Sequence, residues 1–522
     1  MRRMLAAGGK NWWLIVGGKM DNQQTINRRK FMKRILYGGI GGAAAVSAGL
    51  YFITAKKKPH YNVLFIISDD LRPQLGCYGE PQMVTPNIDR LASRGMVFEH
   101  SYCQQALCAP SRASLLSGLR PDSTKVYNLH TCLSHVLPNH IVLPKYFKQN
   151  GYETIAIGKV FHRPKDNIDS WSKRPIRIGQ VSVPAFEQEQ QQKPREITTP
   201  ATPAYGLRDG PVRMADVPDN AYKDGQYTDY AIQEIRRLND KPFFLCIGYN
   251  KPHLPYTAPK KYWDMYDPAK IKLADNPFPP QNATIYTLFD FTELRDYEGI
   301  PKENGVPIPS DQARHLIHGY YACVSYFDAQ VGRLLEELDR LKQRKKTIII
   351  LWGDNGLKLG EHGSWSKLSN FEIDTRVPLI VSVPGMKAAG KHTTALVESV
   401  DIYPTLCELC GMDLPEQPME GISFAPLLDN PGHKWKKAVF SQCLRGPLDK
   451  PGQGVMGYTM RTERYRYIEW KRVKDGKVLE RELYDHHIDP QENVNVSNDP
   501  SYANAIKELE QMMKRGWKGA LP

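Results

Sequence analysis

Two apolar runs of this chain end in paired oxygen donors. Residues 62–67 lead into Ser68-Asp69-Asp70, and residues 347–352 lead into Gly353-Asp354-Asn355-Gly356. Both runs are short and rich in β-branched and aromatic residues, so they read as buried strands. Open α/β sheets bind ligands beyond the carboxyl ends of their strands, which makes these exits the first place to look for chemistry. Adjacent carboxylates repel one another unless a cation sits among them, and an all-oxygen donor set suits Ca²⁺ or Mg²⁺ better than zinc. Either pair alone reads as turn residues. Two pairs, each at a strand exit, point to a metal centre made of Asp69, Asp70, Asp354 and Asn355.

Further strand exits add cations and proton carriers. Residues 154–157 are followed by Gly158-Lys159-Val160-Phe161-His162, and residues 243–248 by Tyr249-Asn250-Lys251-Pro252-His253. Lys367 ends the run Gly360-Glu361-His362-Gly363-Ser364-Trp365-Ser366-Lys367. Lysine and histidine beside a metal suit a multiply oxygenated anion, sulfate or phosphate. Lys251 reads as a solvated side chain and His362 as a structural loop residue.

The segment Leu107-Cys108-Ala109-Pro110-Ser111-Arg112, with Ser117-Gly118 behind it, resembles the signature of the type I sulfatases of the alkaline-phosphatase superfamily. Asp69-Asp70, Lys159-x-x-His162, Lys251-Pro252-His253, Asp354-Asn355-Gly356 and Lys367 occur in that family's order. Residues 104–112, 158–162, 326–335 and 360–371, and Glu482-Leu483-Tyr484-Asp485, are similar to its iduronate-2-sulfatase branch, and the similarity covers about residues 60–515. The lysosomal iduronate enzyme carries His where this chain has Asn355, the residue of the wider family, which argues against an identical substrate.

The resemblance implies that a maturation enzyme oxidises Cys108 to formylglycine. The hydrated aldehyde has two hydroxyls, one to attack sulfur and one to be deprotonated so that sulfate leaves. It also implies one Ca²⁺, held by Asp69, Asp70, Asp354, Asn355 and the modified Cys108. Arg112 and Lys159 would steady the nucleophile and neutralise charge. His162 would be the base of the second step, and His253 with Lys367 would bind sulfate and protonate the leaving oxygen. The implied substrate is a sulfated oligo- or polysaccharide carrying uronic-acid or hexose sulfate. Two alternatives stand beside it. A phosphatase or phosphodiesterase of the same superfamily would use Thr or Ser and two zincs, which Cys108, Pro110 and Arg112 argue against. A non-catalytic glycan-binding relative would keep Cys108 unmodified. Specificity is expected in residues 127–135, in the 164–224 stretch and in the C-terminal part.

These residues need a scaffold that brings four strand ends together. Besides the four runs above, residues 379–383 form a fifth, and helical segments alternate with them. One begins at Thr85-Pro86, with Thr85 as cap, and stops by Gly95; a long one covers about 310–341; a short one, 111–116, follows Cys108 and would aim backbone N–H groups at an anion. The pattern predicts an α/β fold, a large mostly parallel sheet sandwiched by helices and alkaline-phosphatase-like by resemblance, spanning 59–435. Residues 164–224, rich in Pro, Gln and charge, read as a surface excursion. From 436 to 522 a smaller α+β subdomain is expected, in which 458–470 alternates Tyr and Ile with Arg and Glu as an antiparallel strand pair open to solvent on one side, and 503–514 forms a closing amphipathic helix. Cys407 and Cys410 read as two small core residues one helical turn apart, without zinc partners.

Charge needs to be read by region. The formal net charge is +14, yet residues 1–58 hold twelve Lys/Arg against the single acid Asp21, so the remainder carries only +3. That removes the case for nucleic acid. Arg28-Arg29-Lys30-Phe31-Met32-Lys33 before the uncharged, Gly-containing stretch 35–55 resembles a bacterial twin-arginine export signal, with a membrane anchor through 35–55 as the alternative. Residues 1–58 are therefore expected to be a leader read by an export machinery, and the body to be periplasmic. Met20 offers a second plausible start.

Overall fold

In the computed structural model, residues 61–178, 210–288, 293–303, 305–446 and 454–522 are described. The leader 1–58 and residues 179–209 of the expected excursion lie outside them. The described residues all belong to one compact unit, Lys57–Pro522. None of their helices is long and apolar enough to cross a membrane.

The main sheet has seven strands: β1 Asn62–Asp69, β2 Met96–Phe98, β3 Glu153–Gly158, β4 Phe243–Pro252, β5 Thr347–Gly353, β6 Leu379–Ser382 and β7 Lys391–Thr393. Their order is β7-β2-β6-β5-β1-β4-β3. All neighbours run parallel except β6, which is antiparallel to both β5 and β2. β1 shows why the central strands read as unbroken apolar runs. Leu64 and Ile66 pack with Leu91, Ile235 and Leu334 on one face, while Val63, Phe65 and Ile67 pack with Leu115, Leu116 and Phe147 on the other. A strand buried on both faces has no polar side to alternate with.

Helices α1 Pro86–Ala92, α3 Lys223–Arg237 and α4 Ser310–Arg340 cover the first face; α2 Cys108–Ser117 covers the second. The cap expected from Thr85 is not made. Its Oγ1 instead accepts from the Gly76 N–H and donates to Asp89. The free N–H groups of α1 go to Asp328 on α4, which accepts from Asn87 N at 3.0 Å and Ile88 N at 2.7 Å. A distant carboxylate thus does the work usually given to the N-cap side chain.

Register sets the strand ends level. Ser68 stands opposite Gly353, Ile67 opposite Gly248, and Gly158 opposite Gly248. Where β3 and β4 leave the sheet the backbones nearly touch. A Cβ on Gly158 would lie 2.1 Å from the Gly248 carbonyl oxygen, and one on Gly248 would lie 2.0 Å from that of Lys159. Only glycine fits at this crossing.

The C-terminal part carries a four-stranded antiparallel sheet, β8 Ala438–Arg445, β9 Val455–Thr462, β10 Tyr465–Arg472 and β11 Val478–Asp485, followed by helix Ala503–Arg515. The expectation that 458–470 is open to solvent is wrong. Arg461, Arg466 and Glu469 are buried. Arg466 pairs with Glu492 and, at 2.5 Å, with Glu372; Arg461 reaches Glu372 at 3.2 Å. Met460, Tyr467 and Leu483 pack with Leu509 and Met513 of the closing helix. The polar alternation therefore marks an internal layer of ion pairs. Cys407 lies on helix Ile402–Leu409 with Cys410 just beyond its end, both buried thiols.

A second ionic knot ties the segment before β8 to the main body. Glu398 holds Arg120 through two 2.7 Å contacts and Lys436 at 2.8 Å. Burial alone would raise the Glu398 carboxyl, but Arg120 and Lys436 outweigh it and bring it down to about 2. Because its folded value lies below the ordinary 4.5, its stabilisation is complete above that pH and is lost as the pH falls toward 2. Glu398→Ala leaves Arg120 buried without its carboxylate and Lys436 with Asp401 alone, and is expected to lower unfolding free energy by about 3–5 kcal/mol in urea denaturation at neutral pH.

Candidate active site

The chain enters the site at Cys108. Leu107 is extended, with φ −157° and ψ 134°, and Cys108 is the first residue of α2, so the helix starts three residues earlier than the sequence pattern suggests. Pro110 sits in the first turn, where its missing N–H costs nothing. The whole helix is buried. Ser111 Oγ donates to the Asp354 carbonyl at 2.5 Å. Arg112, 1% exposed, donates from Nε to Asp354 Oδ2 at 2.8 Å, from Nη1 to the Lys159 and Val160 carbonyls, and lies 3.6 Å from Asp69 Oδ1 through Nη2. One guanidinium thereby joins the exits of β1, β3 and β5.

The other expected residues gather around the sulfur. Cys108 Sγ is 3.1 Å from Asp69 Oδ1 and 3.3 Å from Lys367 Nζ. Lys159 pairs with Asp69, and Lys367 with Asp70 at 2.5 Å. Ligand atoms of Asp69, Asp70, Cys108 and Asp354 all lie within 4.8 Å of one another. Asp70 adopts φ +62°, a left-handed conformation that Asp tolerates better than most side chains, and its N–H donates to Asp354 Oδ1 at 3.0 Å. Asn355 Nδ2 donates to Asp70 at 2.7 Å, while its buried Oδ1 has no hydrogen-bond partner among the described residues.

The charges shape one another. Burial raises the Cys108 thiol well above its ordinary value, helped by Asp69. Burial would also raise Asp69, but Lys159 and its fellow cations hold it well below the usual carboxylate range. For Asp354 burial wins over Arg112, and the carboxyl rises to about 6. His162 is brought down to about 2 by burial and then by Lys159, so its imidazole is neutral; its buried Nδ1 has no hydrogen-bond partner among the described residues.

His253 is fixed from several directions. Nδ1 faces the Leu254 carbonyl at 2.7 Å, and Nε2 lies 3.2 Å from Glu293 Oε1 and 3.7 Å from Asp70 Oδ2. Lys251 is not a solvated side chain, as expected from the sequence. Its Nζ donates to the carbonyls of His253 at 2.9 Å and Pro255 at 2.6 Å, tying the loop to itself. Buried Asp224 accepts from the N–H groups of Asn250 and Lys251, and Ser68 Oγ donates to the Lys251 carbonyl. His362 stacks on Phe371, with ring centroids 4.2 Å apart, and donates its N–H to Asn276. Glu293, Asp224 and Arg177, whose Nη1 donates to the His162 carbonyl, escaped the sequence reading. Asp224 opens a helix and looks like an ordinary first-turn acid, and Glu293 sits in an aperiodic stretch with no signal at all.

Glu372, His486 and Glu492 form a second cluster with metal-like spacing. Arg461 and Arg466 already neutralise it, so it is the ion-pair layer of the C-terminal sheet.

Known proteins resemble the chain along most of its length. The family model described as Sulfatase matches residues 61–412, and that described as N-sulphoglucosamine sulphohydrolase, C-terminal, matches residues 360–518. Iduronate 2-sulfatase of Mus musculus is 35% identical over 519 residues, covering 86% of this chain and 93% of the mouse protein. A solved structure described as a complex with its substrate D-glucosamine-2-N,6-O-disulfate aligns with TM-score 0.66 and 23% identity, covering 88% of this chain and 98% of that one. A phosphonate monoester hydrolase from Silicibacter pomeroyi aligns with TM-score 0.71 and 21% identity, over 88% and 96% of the two chains. At such identities the two structures establish the shared fold alone.

Asp224 touches none of the residues around the sulfur, so its effect must travel through the His253 loop. Asp224→Ala is expected to lower kcat on a sugar sulfate by about 10²-fold through misplacement of His253, with Asp224→Asn recovering part of the loss. Steady-state kinetics on both variants, beside their circular dichroism, checks this.

Proposed function

Because the chain belongs to the sulfatase family and is a sulfuric ester hydrolase, we propose that it is an exported enzyme that removes sulfate from uronic-acid or hexose units of sulfated glycans, using Cys108 as formylglycine and one Ca²⁺. The observation that carries this reading is the convergence of Cys108 with Asp69, Asp70, Asp354 and Lys367 at one buried point where the strand exits meet. The activity named for the mouse relative supports a sulfated uronate, and the solved complex a sulfated glucosamine. The Arg28-Arg29 leader supports export to the periplasm, and the Cys-x-Pro-x-Arg segment supports a maturation enzyme as partner.

The residues fit a hard divalent cation. Asp69, Asp70 and Asp354 supply carboxylate oxygens, and Asn355 Oδ1 is a buried acceptor lacking a donor. Asp69, Asp70, Asp354 and Asn355 would hold the ion beside residue 108, where it supplies Lewis acidity toward a sulfate oxygen. As formylglycine hydrated by one water, residue 108 would supply two hydroxyls on one carbon, one nucleophilic and one whose deprotonation would expel sulfate and restore the aldehyde. Three carboxylates stand against three cations, Arg112, Lys159 and Lys367, so a divalent ion leaves the centre net positive and suited to a sulfate ester.

The remaining work falls to the chain itself. Arg112 keeps the strand exits in register through its three attachments. Lys159 and Lys367 place positive charge on either side of residue 108 and balance negative charge that grows on the sulfate oxygens. His253, anchored through Nδ1, turns Nε2 toward Glu293 and Asp70, the side from which it would donate a proton to the leaving oxygen. His162 is neutral, the form in which an imidazole can act as a base, although burial and Lys159 make it a weak one.

Coexpression with a formylglycine-generating enzyme is expected to shift the Cys108 peptide from thiol to aldehyde mass and to yield one calcium per chain by elemental analysis. Full activity in a sample whose Cys108 is entirely thiol would overturn the assignment, and two zincs per chain would favour a phosphatase. The two histidines should separate by substrate. A sugar alkoxide leaves poorly without a proton, whereas an activated phenolate leaves unaided. His253→Ala is therefore expected to cost about 10²–10⁴-fold on a sugar sulfate and far less on a nitrophenyl sulfate, while His162→Ala slows both. Equal losses on both substrates for His253→Ala would remove it from the role of acid.

A further inference from the structure

The reacting centre is open on one side. Cys108 and the charged side chains that surround its sulfur, from Asp69 and Asp70 to Lys159 and Lys367, are buried. His253 and Glu293 are not, and their side chains keep 19% and 18% of their surface. His162 is half-buried, with its Nδ1 covered. A ring nitrogen of His253 lies within 4.8 Å of both the Cys108 sulfur and an Asp69 oxygen, and its Nε2 lies 3.2 Å from Glu293 Oε1. The Glu293 carboxylate therefore stands at the mouth of the centre, next to the group that would protonate the leaving oxygen.

The segment that carries Glu293 is docked onto the main body. Leu294, Tyr297 and Ile300 are buried in the same core as Leu316 and Tyr320 of α4. Arg295 donates from Nη1 to the Pro301 carbonyl at 2.8 Å and from Nη2 to the Val306 carbonyl at 3.1 Å.

Charge is thus divided across the centre. Arg112, Lys159 and Lys367 gather around residue 108, while the open side presents a carboxylate. A sulfate ester is drawn in with its anionic end toward the three cations, which leaves its alcohol part outward, against His253 and Glu293. A carboxylate only accepts hydrogen bonds. It receives one from a hydroxyl or an ammonium on the alcohol part and repels a second carboxylate there, the more so in a pocket partly closed to water.

Resting on the glycan reading above, we infer that Glu293 decides which sugar is desulfated: it accepts a hydrogen bond from a hydroxyl or ammonium of the sulfated ring and turns away a ring that carries a carboxylate. Of the two classes that reading holds open, the substrate is the hexose or hexosamine sulfate and not the uronate sulfate.

Glu293 also faces His253, so selection has to be told apart from mere positioning of that ring. The test uses the calcium-loaded chain, coexpressed with a formylglycine-generating enzyme, in its natural form and as Glu293→Gln and Glu293→Lys. The sugar substrates are mixed monosulfates of a methyl glucoside, a methyl glucosaminide and a methyl glucuronide. The aryl substrates are phenyl sulfates with an aminomethyl or a carboxylate group at the meta position. The natural chain is expected to prefer the glucoside and glucosaminide to the glucuronide, and aminomethyl to carboxylate, by about ten-fold in kcat/KM. Glu293→Gln should bring these ratios close to one, mainly through KM, and Glu293→Lys should reverse them. A positioning role alone lowers turnover of every substrate alike and leaves the ratios where they were. Ratios unchanged in both variants, or a natural chain that prefers the glucuronide, overturn the role of Glu293. Turnover of the aryl esters but of no sugar overturns the glycan reading, and with it the sugar assignment.

Discussion

The Arg112 guanidinium is the interaction on which the rest of the centre depends. Asp69 and Asp354 leave neighbouring parallel strands at the same level, and both are buried. Two carboxylates so placed would drive the strand ends apart or take up protons. Arg112 stands between them, and its remaining donors fasten the loop after β3. Because Arg112 is one turn along the helix that begins at Cys108, the same contact fixes where the sulfur lies. Position of the Cys108 sulfur and neutrality of the carboxylates are thus one problem with one solution, and lysine, lacking the fork geometry, would not solve it.

Ionic contacts repeat this logic at larger scale. Arg466 and Arg461 clamp the C-terminal sheet onto Glu372, and Tyr102 donates to that same carboxylate from beside the catalytic segment. Arg120 and Lys436 meet Glu398 just before β8. The surface between sheet and main body is therefore held by paired charge as much as by apolar contact. Such pairs contribute little net stability for their burial, but they are unforgiving of misalignment, and one arrangement satisfies all of them.

What was legible in the sequence follows from this division. The strands that are apolar on both faces announced themselves, because nothing but a buried strand looks like 62–67 or 347–352. β2 and β7, three residues each, were too short to show a period, and the reversed direction of β6 depends on how its connections wrap. The alternation in 458–470 was visible, but its meaning was not, since the partners Glu372 and Glu492 lie far off in the chain. In the candidate site, the residues that the sequence could name are those carried by local motifs: Cys108, Arg112, Lys159, His162, His253, Lys367 and the four oxygen donors. Those that act only through tertiary contact, Asp224, Glu293 and Arg177, carry no local mark. The same holds for Asp328, whose capping role belongs to a helix more than two hundred residues upstream.

The burial of Cys108 bears on the order of events in the life of the chain. The residue is 2% exposed, lies inside a helix with no exposed side, and is hemmed in by Asp69 and Lys367. Nothing the size of a protein can reach that side chain once α2 has docked. Any enzyme that rewrites residue 108 must therefore meet it during or before folding, so the rate of folding sets the time available. On the formylglycine reading proposed above, a chain that folded too soon would be not merely delayed. It would be a well-packed molecule whose chemistry is sealed behind the same contacts that would have made it work, and only unfolding would give it a second chance.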